Sequence, residues 1–166
     1  MKIRYLTMVA AVALLGACSS DETATATKAQ TVAPPPPPPA MTERGIVAGS
    51  EEDFVKNVGD RIRFDFDKSS VKPEYKDLLV KWSDFLKKYP ADALTIEGYC
   101  DDRGTEEYNL ALGDRRANAV KEFLVGQGVA ATRLKTISYG KDRPEVAGDN
   151  EAAWAANRRA VGVIGQ

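Results

Sequence analysis

From residue 45 onward, apolar residues recur with two alternating periods, separated by turn residues. Ser50-Glu51-Glu52-Asp53 is similar to a capping box, with Asp in the third place, and predicts a short helix before Gly59. Arg61 to Phe66 alternates: Ile62, Phe64 and Phe66 fall on one side, Arg61, Arg63 and Asp65 on the other. That period-two pattern marks a strand with one buried face. Pro73 suits the first turn of a helix. Behind it, Tyr75, Leu78, Leu79, Trp82 and Leu86 form an apolar stripe at helical spacing that ends before Pro90. Ala93 to Gly98 predicts a second strand. After the polar turn Cys100 to Thr105 comes the longest helix, with Tyr108, Leu112, Val120 and Leu124 on its buried face and either Thr105 or Asn109 as its cap. Leu134 to Tyr139, Glu151 to Arg158 and Ala160 to Ile164 predict a strand, a short helix and a last strand. Strands alternating with helices imply an α/β (α+β) sandwich, with helices packed on a mainly parallel, mixed sheet of about four strands.

The first 44 residues read differently. Lys2 and Arg4 precede a run, Tyr5 to Leu15, in which every residue but Thr7 is apolar or aromatic; Gly16 and Ala17 follow. The run is too short to span a bilayer, which takes about 20 residues, and fits a secretory signal over residues 1–17. Leu15-Gly16-Ala17-Cys18 resembles a bacterial lipobox, which implies acylation at Cys18. Ser19 replaces the Asp that in such proteins retains the anchor at the inner membrane, so the expected destination is the outer membrane. Residues 18–44 are polar and surround six consecutive prolines, Pro34 to Pro39. Such a segment cannot bury enough surface to offset its ordering entropy, and its prolines should form a spacer rod of roughly 19 Å. Residues 45–166, about 120 in number, suffice for one core without disulfides.

Composition narrows the chemistry. The 166 residues include 23 Lys+Arg, 24 Asp+Glu, two Cys and no His. Without His, neither a Ser-His-Asp or Cys-His nucleophilic site nor a His-ligated metal centre can be built. A charge of −1 gives no basic excess to release counterions from nucleic acid. Binding is therefore favoured over catalysis, with no cofactor or metal expected.

Three blocks are recognisable: Phe64-Asp65-Phe66-Asp67-Lys68-Ser69; Glu97 to Thr105 running into Tyr108 to Ala117; and Asn157-Arg158-Arg159-Ala160. Together they resemble the OmpA-like C-terminal domain family. With the lipobox and tether they are similar to that family's lipid-anchored branch, the peptidoglycan-associated lipoproteins (Pal) of the Tol-Pal system. The resemblance implies non-covalent binding of the diaminopimelate in an uncrosslinked stem peptide. It puts the principal contacts on Asp101 and Arg116, with Phe66, Asp67, Arg103, Thr105 and Leu112 lining the same pocket. It also implies a partner, the periplasmic Tol propeller protein (TolB), competing for an overlapping surface.

The chemistry suits the residues. The free end of diaminopimelate carries one ammonium and one carboxylate, which a carboxylate and a forked guanidinium can grip. Spacing alone leaves open whether Asp101 and Arg116 meet. A helix starting at Thr105 carries Arg116 about 16 Å along its axis, so the turn must fold back or the helix must start later. Arg158 and Arg159 read as helix-end charges paired with local carboxylates. Asp101 and Asp102, neighbours on a turn, should diverge. Phe64 and Phe66 read first as core residues, although Phe66 could also serve the pocket. This chain departs from the family at Tyr99 and Cys100, where His and Thr or Ala are frequent. Cys100 is expected to be buried and inert. The competing function is a periplasmic carboxylate-dependent enzyme acting on peptidoglycan, which needs two opposed acids, one with a raised pKa. A service to a motor or porin is a third, weaker reading.

Overall fold

The computed structural model describes residues 45–165. The expected signal, Cys18 and the proline run lie outside them. Helix α1 (Glu51–Asp53) is capped by Ser50, whose Oγ accepts from the Asp53 N–H at 3.1 Å, and continues as a π-helical turn, Phe54–Val58, to Gly59. Strand β1 (Arg61–Arg63) is half the expected length. The Phe64 N–H still donates to the Arg158 carbonyl at 2.8 Å, but the chain then turns through Asp65–Lys68, with Asp67 at φ +54°. The alternation therefore stops early. Ile62 and Phe64 are buried, whereas Phe66, expected on the same face, is 56% exposed because the turn swings it off the sheet.

A 3-10 turn, Pro73–Tyr75, feeds α2 (Lys76–Lys88), whose stripe is buried through Leu79, Trp82, Phe85 and Leu86. Then follow β2 (Ala93–Tyr99), α3 (Glu106–Gly126), β3 (Leu134–Gly140), α4 (Glu151–Asn157) and β4 (Arg159–Gly165). Thr105, the first of the two candidate caps, is the one used, accepting from the Tyr108 N–H at 3.2 Å. Tyr108 itself is exposed and does not join the core, since its hydroxyl is turned to Asp67 on the turn after β1.

The four strands form one mixed sheet in the order β1-β4-β2-β3, and the α/β class is as expected. The expectation of a mainly parallel sheet is corrected. Only β2 and β3 pair in parallel, across the α3 crossover; β4 pairs antiparallel with both β1 and β2. Three strands do share one direction. The fourth, returning after the short α4, inserts between two of them and makes two of the three pairings antiparallel.

Helices α2 and α3 bury their stripes in a single cluster with Ile62, Leu94, Ile96, Ala160 and Ile164 of the sheet. Where α3 crosses β2 there is no room for side chains. A Cβ on Gly98 would lie 1.9 Å from the Gly113 carbonyl oxygen, and one on Gly113 would lie 2.3 Å from Ser138 Oγ. Glycine lets helix backbone rest on the backbone of β2, and Ser138 of β3 ties α3 to the next strand by donating from Oγ to the Leu110 carbonyl at 2.6 Å. This contact fixes the depth of α3, and with it the site.

Candidate functional site

The chain leaves β2 at Tyr99, climbs through the turn Cys100–Thr105, and descends again as α3. Side chains on a helix lean towards its N-terminus, so Arg116 reaches back to the strand it came from. Its Nη1 donates to the Tyr99 carbonyl at 2.8 Å. The turn therefore folds back, and the helix starts early. Asp101 and Arg116 both line a pocket of about 180 Å³, together with Phe66, Asp67, Arg103 and Leu112. Of the seven residues expected there, Thr105 is not among the lining residues; its hydroxyl is committed to capping α3. Gly104, Tyr108 and Asn109 line the pocket in addition.

Arg116 is fully buried. Besides Tyr99, its Nε donates to the Lys68 carbonyl at 2.9 Å and its Nη2 to the Asp65 carbonyl at 3.2 Å. Its guanidinium carbon lies 5.2 Å from the Phe64 ring centre. All three partners are neutral, and one N–H on each terminal nitrogen is left over. Burial pulls its pKa below the ordinary arginine value, though not far enough for a guanidinium to lose its proton.

Asp101 is also buried but is already paired. Its Oδ2 accepts from Arg103 Nη2 at 2.5 Å and from Arg158 Nη1 at 3.2 Å. Burial pushes its pKa up, yet the bonds from Arg103 and Arg158 outweigh that and hold it below the usual carboxylate value. Asp102, by contrast, points to solvent, so the neighbouring acids diverge as expected. Arg158 bonds Glu151 at 2.7 Å, as a helix-end charge should, but its second role, on Asp101 57 residues away, has no local signature in the sequence. Arg159 pairs with Glu145 at 3.3 Å.

At the rim, Asp67 accepts from the Tyr108 hydroxyl, a bond that raises the phenol's pKa. The signal for Tyr108 was its place one helical turn before Leu112, which puts both on the pocket side of α3. Asn109 is buried and donates to the Arg103 carbonyl at 2.7 Å and the Thr105 carbonyl at 3.1 Å, so it holds the turn in shape. Cys100 is buried, its thiol reaching the Asn109 carbonyl at 3.3 Å, and burial pushes its pKa up to about 11. The pocket thus offers the carboxylates of Asp101 and Asp67 as acceptors and one buried guanidinium with donors to spare.

Residues 63–158 match the model of the OmpA family. A peptidoglycan-associated lipoprotein of Agrobacterium fabrum is 52% identical over 117 residues, 70% of this chain and 66% of that protein. The chain thus aligns with just under two thirds of that relative's length. The crystal structure of the peptidoglycan-associated lipoprotein from Burkholderia pseudomallei superposes with a TM-score of 0.63 at 43% identity, covering 64% of this chain and 90% of that one. The C-terminal domain of Helicobacter pylori MotB shares the fold alone, with a TM-score of 0.60 at 20% identity, over 64% of this chain and 84% of that one. The matched span contains the pocket from Phe66 to Arg116 and ends on the arginine that holds Asp101; the chain belongs to the OmpA family.

Proposed function

We propose that this chain is an outer-membrane lipoprotein that binds peptidoglycan without a covalent bond and ties the membrane to the wall. In this reading Cys18 carries the lipid, the proline run is the spacer, and the pocket grips the diaminopimelate of an uncrosslinked stem peptide. Two relatives named peptidoglycan-associated lipoprotein support it. The observation that carries it is Arg116. A guanidinium buried against three carbonyls gains most from an anion presented to its remaining donors, and a carboxylate fits that fork. Asp101, held ionised by two arginines, is an acceptor for the ligand's ammonium. A stem peptide with lysine instead of diaminopimelate keeps the ammonium but lacks this carboxylate, so it leaves Arg116 unanswered. The Tol propeller protein is the partner in this reading, on a surface that overlaps the rim.

Binding is preferred to catalysis because hydrolysis by paired carboxylates needs one acid with a raised pKa, and Asp101 is shifted the other way. The test is retention of the chain on isolated diaminopimelate-type peptidoglycan, with free meso-diaminopimelate or Nα-acetyl-lysine amide, which keeps the ammonium but has no carboxylate, as competitor. Diaminopimelate should release the protein and the blocked lysine should not. Equal release by both, or no retention at all, overturns the assignment. Muropeptide release above a heat-killed control would restore the enzyme reading.

A further inference from the structure

Arg103 makes the shortest bond to Asp101, yet it sits on an irregular turn beside Gly104, whose φ is +91°. Its side chain is held by aromatic faces. The guanidinium carbon lies 4.0 Å from the Phe66 ring centre and 4.1 Å from that of Trp154 on α4. Two rings cannot both approach one carbon that closely from the same side, so the guanidinium lies between them. Arg103 Nε and Trp154 Nε1 are both buried without a hydrogen-bond partner. A buried indole N–H ordinarily finds an acceptor. Here the ring is used for its face, and the guanidinium edge forgoes a hydrogen bond to lie against it.

We propose that Trp154, which lies outside the pocket lining, is a positioning residue for the pocket: it acts on ligand affinity through Arg103, stacking the guanidinium so that Arg103 and Asp101 are set before the ligand arrives. The inference rests on the peptidoglycan reading. Stacking of a partly desolvated arginine on an indole is strong enough for its loss to weaken binding by about tenfold. Phenylalanine can replace the face; leucine fills space without one.

The experiment measures retention of the whole chain on isolated diaminopimelate-type peptidoglycan for Trp154→Phe, Trp154→Leu, Arg103→Ala and the Trp154→Leu/Arg103→Ala pair. Trp154→Phe should bind within about twofold of the native chain and Trp154→Leu about tenfold more weakly. In the Arg103→Ala background, Trp154→Leu should add no more than about twofold. A leucine variant that binds normally, or one that costs as much with Arg103 as without it, overturns the proposal. Should Trp154→Leu fail to fold, Arg103→Lys keeps the charge and removes the plane; it should lose about tenfold, and native binding by it would be equally fatal. Asp101→Asn separates the two readings. Normal binding by Asp101→Asn sinks the pocket assignment itself, whereas its loss beside a normal Trp154→Leu sinks only the role of Trp154.

Discussion

The two walls of the pocket bury charge in opposite ways. On the Asp101 side, one carboxylate is shared by Arg103 and Arg158, and Arg158 passes on to Glu151, so each charge meets an opposite one. On the Arg116 side a guanidinium just as buried meets only carbonyl dipoles. Removing charges from water is costly, and pairing offsets the cost only when geometry is good. The first wall has offset its cost internally, so Asp101 is held in place by its own partners. The second has offset only part, and in the proposed reading a carboxylate from outside completes it. In the proposed reading both walls bind, one with a carboxylate already ordered by its arginines and the other with a guanidinium that still lacks an anion.

The sharpest way to break this contrast is to remove Arg116. Arg116→Leu leaves three carbonyls without their donor and should cost about 3–5 kcal/mol of stability in urea unfolding, with retention on peptidoglycan abolished. Arg116→Lys should recover part of that stability but little retention, because an ammonium cannot replace the fork. Full retention by the lysine variant would show that the second wall needs charge and no particular geometry.

Asp101→Asn should cost less, about 2–3 kcal/mol at neutral pH, since Arg103 keeps some exposure and Arg158 keeps Glu151. The sign of its pH dependence follows from the lowered pKa. The folded chain takes up this proton less readily than the unfolded chain, whose carboxyl titrates near pH ~3.9. The stabilisation is complete above that value and is lost as pH falls through the lower folded value. The stability gap between native chain and Asp101→Asn should therefore close below about pH 4; a gap constant down to pH 2 would mean that Asp101 does not bear the charge assigned to it.

The smallest effect concerns Cys100, which precedes Asp101 on the turn and reaches the Asn109 carbonyl of α3. With its thiol buried and its pKa near 11, it should resist iodoacetamide at pH 8 until urea unfolds the chain. Labelling at the rate of an exposed thiol would show that the turn lifts away from α3 in the native state.

Much of this was legible because it is local. The stripe of α2, the Thr105 cap and the short runs of β2, β3 and β4 each follow from neighbours within a few residues. What escaped depends on distant partners. Phe66 continues an alternation whose strand ends because β4 begins only at Arg159, a fact carried nearly a hundred residues away. The insertion of β4 between β1 and β2 is a choice among sheet edges that no period encodes. Asp101 and Arg116 line one pocket, a meeting that their spacing of fifteen residues leaves open. Arg158, named in the sequence as a helix-end charge, turned out also to hold Asp101 in place. Trp154 had no mark at all beyond being aromatic on a short helix.

The three bonds of Arg116 have a mechanical consequence. Asp65, Lys68 and Tyr99 belong to two stretches of chain, the turn after β1 and the end of β2, while Arg116 itself rides on α3. A pull on anything gripped by that guanidinium is divided between strand, turn and helix at once. Tension arriving at a single side chain is spread over bonds that must fail together, and the domain behaves under load as a knot drawn tight and not as a zip opened from one end.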